Sequence, residues 1–130
     1  DSRRLRAELH REIARAERHQ RPLTLAILHV TGLDALGEIE PGPLVGHIDR
    51  VLRDFVRRSD LVGWYGPDRL LLLSPEADVR GHELELRIRQ LLRDKLPATA
   101  HVDVRLGTSG YPIDGTDVAT LLQVAVSRLA

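Results

Sequence analysis

Residues 57–70 read Arg-Arg-Ser-Asp-Leu-Val-Gly-Trp-Tyr-Gly-Pro-Asp-Arg-Leu, and this stretch decides how the rest of the chain is read. Two short apolar runs, 60–65 and 69–74, flank Gly66-Pro67-Asp68. Runs of that length around a Gly-Pro-Asp turn predict two strands folded back as a hairpin. Just ahead of the first strand stand Arg57 and Asp60, three residues apart. Where a helix ends and a strand begins, such a pair can bind locally, which contributes at most about 1 kcal/mol when exposed.

Working outward, residues 23–30, Leu-Thr-Leu-Ala-Ile-Leu-His-Val, form a continuous apolar run suited to a strand covered on both faces. Before it, Leu5, Leu9, Ile13 and Ala16 recur at helical spacing across 3–19. After it, a polar segment with Gly and Pro leads to a second amphipathic helix marked by Leu44, Ile48, Val51, Leu52 and Phe55. Leu84, Ile88, Leu91 and Leu92 mark a third helix, stopped by Pro97. Residues 100–106 alternate as a strand does, and Val118, Leu121, Leu122, Ala125 and Leu129 mark a last helix. The order α-β-α-β-β-α-β-α predicts an α+β domain: a two-layer, antiparallel-rich sheet covered by helices.

The 130 residues suffice for one domain with a sizeable core, and 1–130 reads as a single unit. Because the chain opens at Asp1 without Met, it is expected to be a fragment of a larger multidomain protein. Aromatics are only 3%, so the core must be built from Leu, Val, Ile and Ala. There are no cysteines, which excludes disulfides and thiolate metal sites. Nineteen basic residues balance 19 acidic ones, and that argues against a nucleic-acid binder, which would show a basic excess. No apolar run approaches a membrane span, so no direct membrane contact is expected. The six histidines fall at no metal-binding spacing, and neither a dinucleotide-binding nor a Walker-type glycine loop is present. Trp64 is read as packing on the sheet edge in preference to forming a partner surface.

The hairpin stretch resembles the GGDEF domain of bacterial diguanylate cyclases. In that family an Arg-x-x-Asp element lies five residues ahead of the signature, as Arg57 and Asp60 lie ahead of Gly66. Gly66-Pro67-Asp68-Arg69-Leu70 stands where the signature would be. Ser2 through Arg18 and Pro22 look like the family's first helix and approach to its first strand. Tyr111-Pro112-Ile113-Asp114-Gly115 looks like its late Tyr-Pro-x-Asp-Gly loop. The resemblance covers nearly the whole chain. It implies the palm-like sheet shared with nucleotidyl cyclases and, from the location of the nucleotide, a cytoplasmic protein.

The family's cyclase chemistry requires divalent metal on carboxylates. Its metal-binding Asp at the end of the first strand aligns with His29, and imidazole is a poor ligand for Mg²⁺. Its guanine-contacting Asn and Asp align with Gly37 and Gly42. Pro67 replaces a signature glycine and removes an N–H donor; Arg69 reverses the charge of a Glu, while Asp68 keeps the acidic third position. These departures lead to the expectation of a chain that is not an enzyme, with no catalytic residues, no resident metal and no cofactor.

The binding half of the pattern is intact. In the family the Arg-x-x-Asp element is the inhibitory site, or I-site, for cyclic di-GMP. A planar guanidinium can satisfy O6 and N7 of a guanine together, and a carboxylate accepts from N1–H and N2–H. The resemblance therefore assigns cyclic di-GMP to Arg57, Asp60 and Arg87, the last from Glu85-Leu86-Arg87-Ile88-Arg89 on the third helix. Arg15 matches a position from which some members reach a neighbour's ligand. A local alternative pairs Arg87 with Glu83 one helical turn away. The resulting reading is a cyclic di-GMP receptor that signals by ligand-dependent homodimerisation or by rearranging the other domains of its parent protein. Two alternatives stay open: a nucleotide-free protein-interaction or dimerisation scaffold, and a GTP-binding allosteric domain.

Overall fold

The computed structural model describes residues 2–32, 43–75, 81–96 and 103–130. Its elements are α1 (Ser2–His19), β1 (Leu23–Thr31), α2 (Pro43–Phe55), β2 (Leu61–Trp64), β3 (Arg69–Pro75), α3 (Gly81–Lys95), β4 (Asp103–Tyr111) and α4 (Val118–Ser127). The four strands form one antiparallel sheet in the order β2-β3-β1-β4. An α+β domain with an antiparallel sheet is thus what the chain forms.

Strand β1 sits in the middle because its residues leave it no surface to expose. Leu23, Leu25 and Ile27 point to one face, where they meet Leu5, Leu9 and Ile13 of α1 and Val118, Leu121 and Ala125 of α4. Ala26, Leu28 and Val30 point to the other and meet Leu44, Ile48 and Leu52 of α2 and Ile88 and Leu92 of α3. Period-two alternation applied to an all-apolar strand creates two cores, one per face. The sheet therefore carries a helical layer on each side, one layer more than expected. His47 of α2 donates from Nε2 to the Lys95 carbonyl at 2.8 Å, tying the two helices of the second layer together.

The last strand extends further at its C-terminal end than expected. It runs Asp103–Tyr111, beyond the alternating stretch, because all nine residues of β1 pair with it from Leu23↔Tyr111 to Thr31↔Asp103. Residues 100–102 lie outside the described segments, as does Pro97. Gly107 interrupts the apolar pattern for a steric reason. A Cβ there would run into the Ala125 carbonyl and come within 2.9 Å of the Leu129 backbone nitrogen, so its absence lets α4 lie directly on β4. Helix α4 stops at Ser127, and Ala130 returns to exchange hydrogen bonds with Leu106 at 3.2 and 3.3 Å.

The loop between β4 and α4 is closed by charge. Asp114 accepts two hydrogen bonds from the Arg128 guanidinium, at 2.9 and 3.0 Å, and one from the Gly110 N–H at 2.8 Å. Arg128, then the Gly110 amide, hold its carboxyl below the ordinary carboxylate range against the opposing effect of burial. A depressed folded value means the contribution is complete above the unfolded pKa of about 3.9 and is lost as pH falls through the folded one. Asp114→Asn is expected to cost about 1–2 kcal/mol at pH 7 in urea denaturation. The gap between variant and parent should close as the pH is taken below about 4.

Candidate ligand-binding site

The last turn of α2 is completed by the Val56 N–H on the Leu52 carbonyl, at 3.1 Å, and the chain then turns sharply into β2. Asp60 makes that turn. Its Oδ2 accepts from the Arg57 N–H at 2.8 Å, and its own N–H donates to the Arg57 carbonyl at 3.0 Å. Its Oδ1 accepts from the Ser74 hydroxyl at 3.0 Å. The three-residue spacing is what lets a short carboxylate reach back to the first N–H of the turn.

Arg57 and Asp60 therefore do meet, but through the arginine's backbone. The Arg57 side chain is exposed and has no ion pair or hydrogen bond among the described residues. Arg87 lies on α3 with its Cζ 5.2 Å from the centre of the Phe55 ring, a cation–π contact. Phe55 ends α2 two residues before Arg57, so α3 presents Arg87 to the helix end from which the turn springs. The alternative pairing of Arg87 with Glu83 does not form. Glu85 pairs instead with Arg89 at 3.1 Å, and Arg89 also donates to the Ala130 carbonyl at 2.7 Å.

Two of the residues that shape this turn were not singled out from the sequence. Ser74 follows the run of four leucines on β3 and is 7% exposed, and a polar residue buried at a strand end signals a partner nearby. Phe55 was read as core; no local pattern reports the cation above it.

The opposite end of the hairpin carries a second polar cluster. The Tyr65 N–H donates to the Arg69 carbonyl across the turn at 3.1 Å, and the Val30 N–H donates to the Asp68 carbonyl at 2.8 Å. His29 Nε2 lies 3.1 Å from Asp68 Oδ2, so the end of β1 and the acidic turn residue are in contact. Burial pushes the Tyr65 phenol up, opposed by nearby Arg69. Trp64 packs against the α2–α3 core, as expected, and its Nε1–H donates to Asp49 Oδ1 at 2.8 Å. Gly37 and Gly42 lie outside the described residues. Among the described residues no three His, Cys, Asp or Glu side chains gather as a metal site. His29 and Asp68 offer two donors, one an imidazole, a set that suits a borderline cation better than Mg²⁺.

The sequence profile of the family described as "Diguanylate cyclase, GGDEF domain" matches residues 2–130. The chain belongs to the GGDEF family. The GGDEF fold is borne out by solved structures. A sensory box/GGDEF family protein from Caulobacter crescentus is similar with a TM-score of 0.78 at 20% identity, over 96% of this chain and 86% of that one. The active GGEEF domain of a diguanylate cyclase from Vibrio cholerae gives 0.79 at 16% identity, over 96% and 85%. The GGDEF domain of DgcB from Caulobacter crescentus, in complex with c-di-GMP, gives 0.74 at 19% identity, over 95% and 76%. No curated protein sequence matches significantly.

Membership corrects the expectation that the chain is not an enzyme: the family is one of diguanylate cyclases. That expectation took positions 29, 37, 42, 67 and 69 one at a time. In the folded GGDEF domain His29 meets Asp68, the acidic position that is retained, and an imidazole beside a carboxylate can hold a borderline divalent cation. Among the described residues no helix of the domain is long and apolar enough to cross a membrane.

The division of labour within the turn is measurable. Ser74→Ala, which strips one partner from a partly buried carboxylate, is expected to lower stability by about 1–2 kcal/mol. Arg57→Ala, an exposed change, should stay within about 0.5 kcal/mol of the parent in the same urea titration.

Proposed function

We propose that this GGDEF domain is a cyclic di-GMP receptor that takes its ligand at the Arg-x-x-Asp turn, with Arg57, Asp60 and Arg87 as the contacting residues. One observation carries the reading. The Asp60 carboxylate is held by the Arg57 N–H and the Ser74 hydroxyl, which leaves the Arg57 guanidinium outside the turn with no partner among the described residues. A structural Arg–Asp ion pair would have used the guanidinium; this turn uses only the backbone of Arg57.

The chemistry follows from donors and acceptors. A guanidinium offers paired N–H groups that match O6 and N7 of one guanine. A carboxylate has about four acceptor sites, and Asp60 uses one on each oxygen, so it can still accept from guanine N1–H and N2–H. Arg87, steadied over Phe55, supplies a second planar cation for a base or a phosphate. Cyclic di-GMP carries two guanines, and a ligand that presents two identical edges can join two such turns. Signalling then follows from mass action: a ligand that binds the paired arrangement better draws the domain, and whatever is attached to it, toward that arrangement.

Calorimetric titration of the purified domain with cyclic di-GMP tests the reading. Binding in the micromolar range or tighter is expected. Arg57→Ala should weaken it by about 1–3 kcal/mol, the value of one bidentate arginine–guanine contact. Absence of heat at high ligand concentration would sink the receptor reading and leave the interaction scaffold in its place.

A further inference from the structure

We propose that residues 128–130 form a strap across the edge of the sheet that ties α3 to α4, and that its closure and ligand occupancy at Arg87 favour each other. The coupling rests on the reading of Arg87 as a cyclic di-GMP contact; the strap itself does not. Strand β4 is an edge of the sheet, so every second residue points its N–H and carbonyl away from β1. Those outward groups are taken up one after another. Leu106 exchanges hydrogen bonds with Ala130, and the Thr108 carbonyl accepts from the Arg128 guanidinium at 3.2 Å. Gly110 gives its N–H to the Asp114 carboxylate and accepts the Asp114 N–H. The stretch after α4 thus lies along the outer edge of β4.

Local features of the chain put the strap there. The Arg128 and Leu129 N–H groups donate back three residues, to the Ala125 carbonyl at 3.1 Å and the Val126 carbonyl at 3.2 Å. Bonds of that span tighten the end of α4 and turn the chain off the helix axis. Gly107, with no Cβ, lets the tightened end sit directly against β4. Asp114 then holds the Arg128 guanidinium through its two hydrogen bonds. The Arg128 side chain is half exposed, and an ion pair so open to water is weak enough to be broken and remade.

The far end of the strap is held by α3. Arg89 Nη2 donates to the Ala130 carbonyl at 2.7 Å and to the Leu106 carbonyl at 3.4 Å, and lies 3.1 Å from Glu85 Oε1. One guanidinium therefore joins the strap, the strand edge and its own helix. Two residues earlier, Arg87 leaves α3 toward Phe55, on the side of the Arg-x-x-Asp turn. At 3.6 residues per turn, positions two apart project about 200° from each other, to opposite sides of a helix. Helix α3 is thus gripped on both sides by its own arginines, while His47 bonds its last turn at the Lys95 carbonyl. With the strap closed, α3 is fixed and Arg87 is pre-positioned, so a ligand at Arg87 meets a lower ordering cost. By linkage that ligand tightens the strap by the same factor.

Arg128→Gln tests the strap from the α4 end without altering α3. In the ¹⁵N-labelled domain, hydrogen exchange at the Leu106 and Ala130 amides is expected to rise about three- to tenfold, with that of buried Ala26 and Ile27 unchanged. The Arg87 Nε–H and Phe55 amide resonances should shift in the same variant before any ligand is added. In an Arg89→Gln background they should no longer respond to Arg128→Gln, because the link is already cut. Cyclic di-GMP should slow exchange at Leu106 and Ala130, and Arg128→Gln should weaken its binding about two- to fivefold. Silence at Arg87 and Phe55 in Arg128→Gln, or the same response with Arg89 replaced, would overturn the strap as a link. Cyclic di-GMP that binds without slowing exchange, and equally well in Arg128→Gln, would overturn the coupling. A parent domain that binds no cyclic di-GMP at all would remove the receptor reading and the coupling together, while the ligand-free arms still decide the strap.

Discussion

Strand β1 is buried on both faces and hydrogen-bonded along both edges, and the rest of the domain is arranged around that constraint. Ala26, Ile27 and Leu28 have no exposed surface, with β3 on one side and β4 on the other. An all-apolar strand can satisfy its backbone only inside a sheet and its side chains only under two layers. The register with β3, from Leu23↔Pro75 to His29↔Arg69, fixes which residues meet at each end of the sheet. A slip by one residue would exchange the two cores, so the register is held by the leucines on both strands.

Each end of the sheet then acquires its own chemistry. At one end the finish of β3 places Ser74 against Asp60, the carboxylate closes the turn, and Arg57 is left to solvent. A cavity of about 380 Å³, lined by Ser59 of the turn and by Arg15, His19 and Pro22, adjoins it. At the opposite end the hairpin tip brings Asp68 onto His29. Rigid strands separate two polar clusters that share no side chain, and a ligand at one end meets a turn pre-formed by hydrogen bonds already in place. A pre-formed turn lowers the ordering cost of binding.

Much of this was legible in the residues. The all-apolar run 23–30, the Gly-Pro-Asp turn and the helical spacing of Leu5, Leu9 and Ile13 each carry a local period that survives folding. The extent of β4 was not legible, because its later half alternates glycine with small polar residues and is specified by its partner and by α4, not by its own pattern. The second helical layer followed from β1 but was not carried through to the layer count. At the site, the Arg-x-x-Asp spacing was visible, whereas the use of the Arg57 backbone in place of its guanidinium depends on Ser74, fourteen residues away in sequence. The meeting of His29 with Asp68 spans 39 residues and likewise needed the sheet register. Substitutions judged in sequence gave no view of that pairing, which is why they were read too strongly against enzymatic membership.

In the proposed receptor Arg57 is the outward-facing recognition group of a turn that Asp60 and Ser74 hold shut. Amide and arginine side-chain NMR shifts of the labelled domain during addition of cyclic di-GMP test this most directly. The account predicts saturable changes centred on residues 57–60, on Ser74 and on the Arg57 and Arg87 side chains, with His29 and Asp68 undisturbed. Changes centred instead on the hairpin tip at His29 and Asp68, with the Arg57 side chain silent, would contradict it.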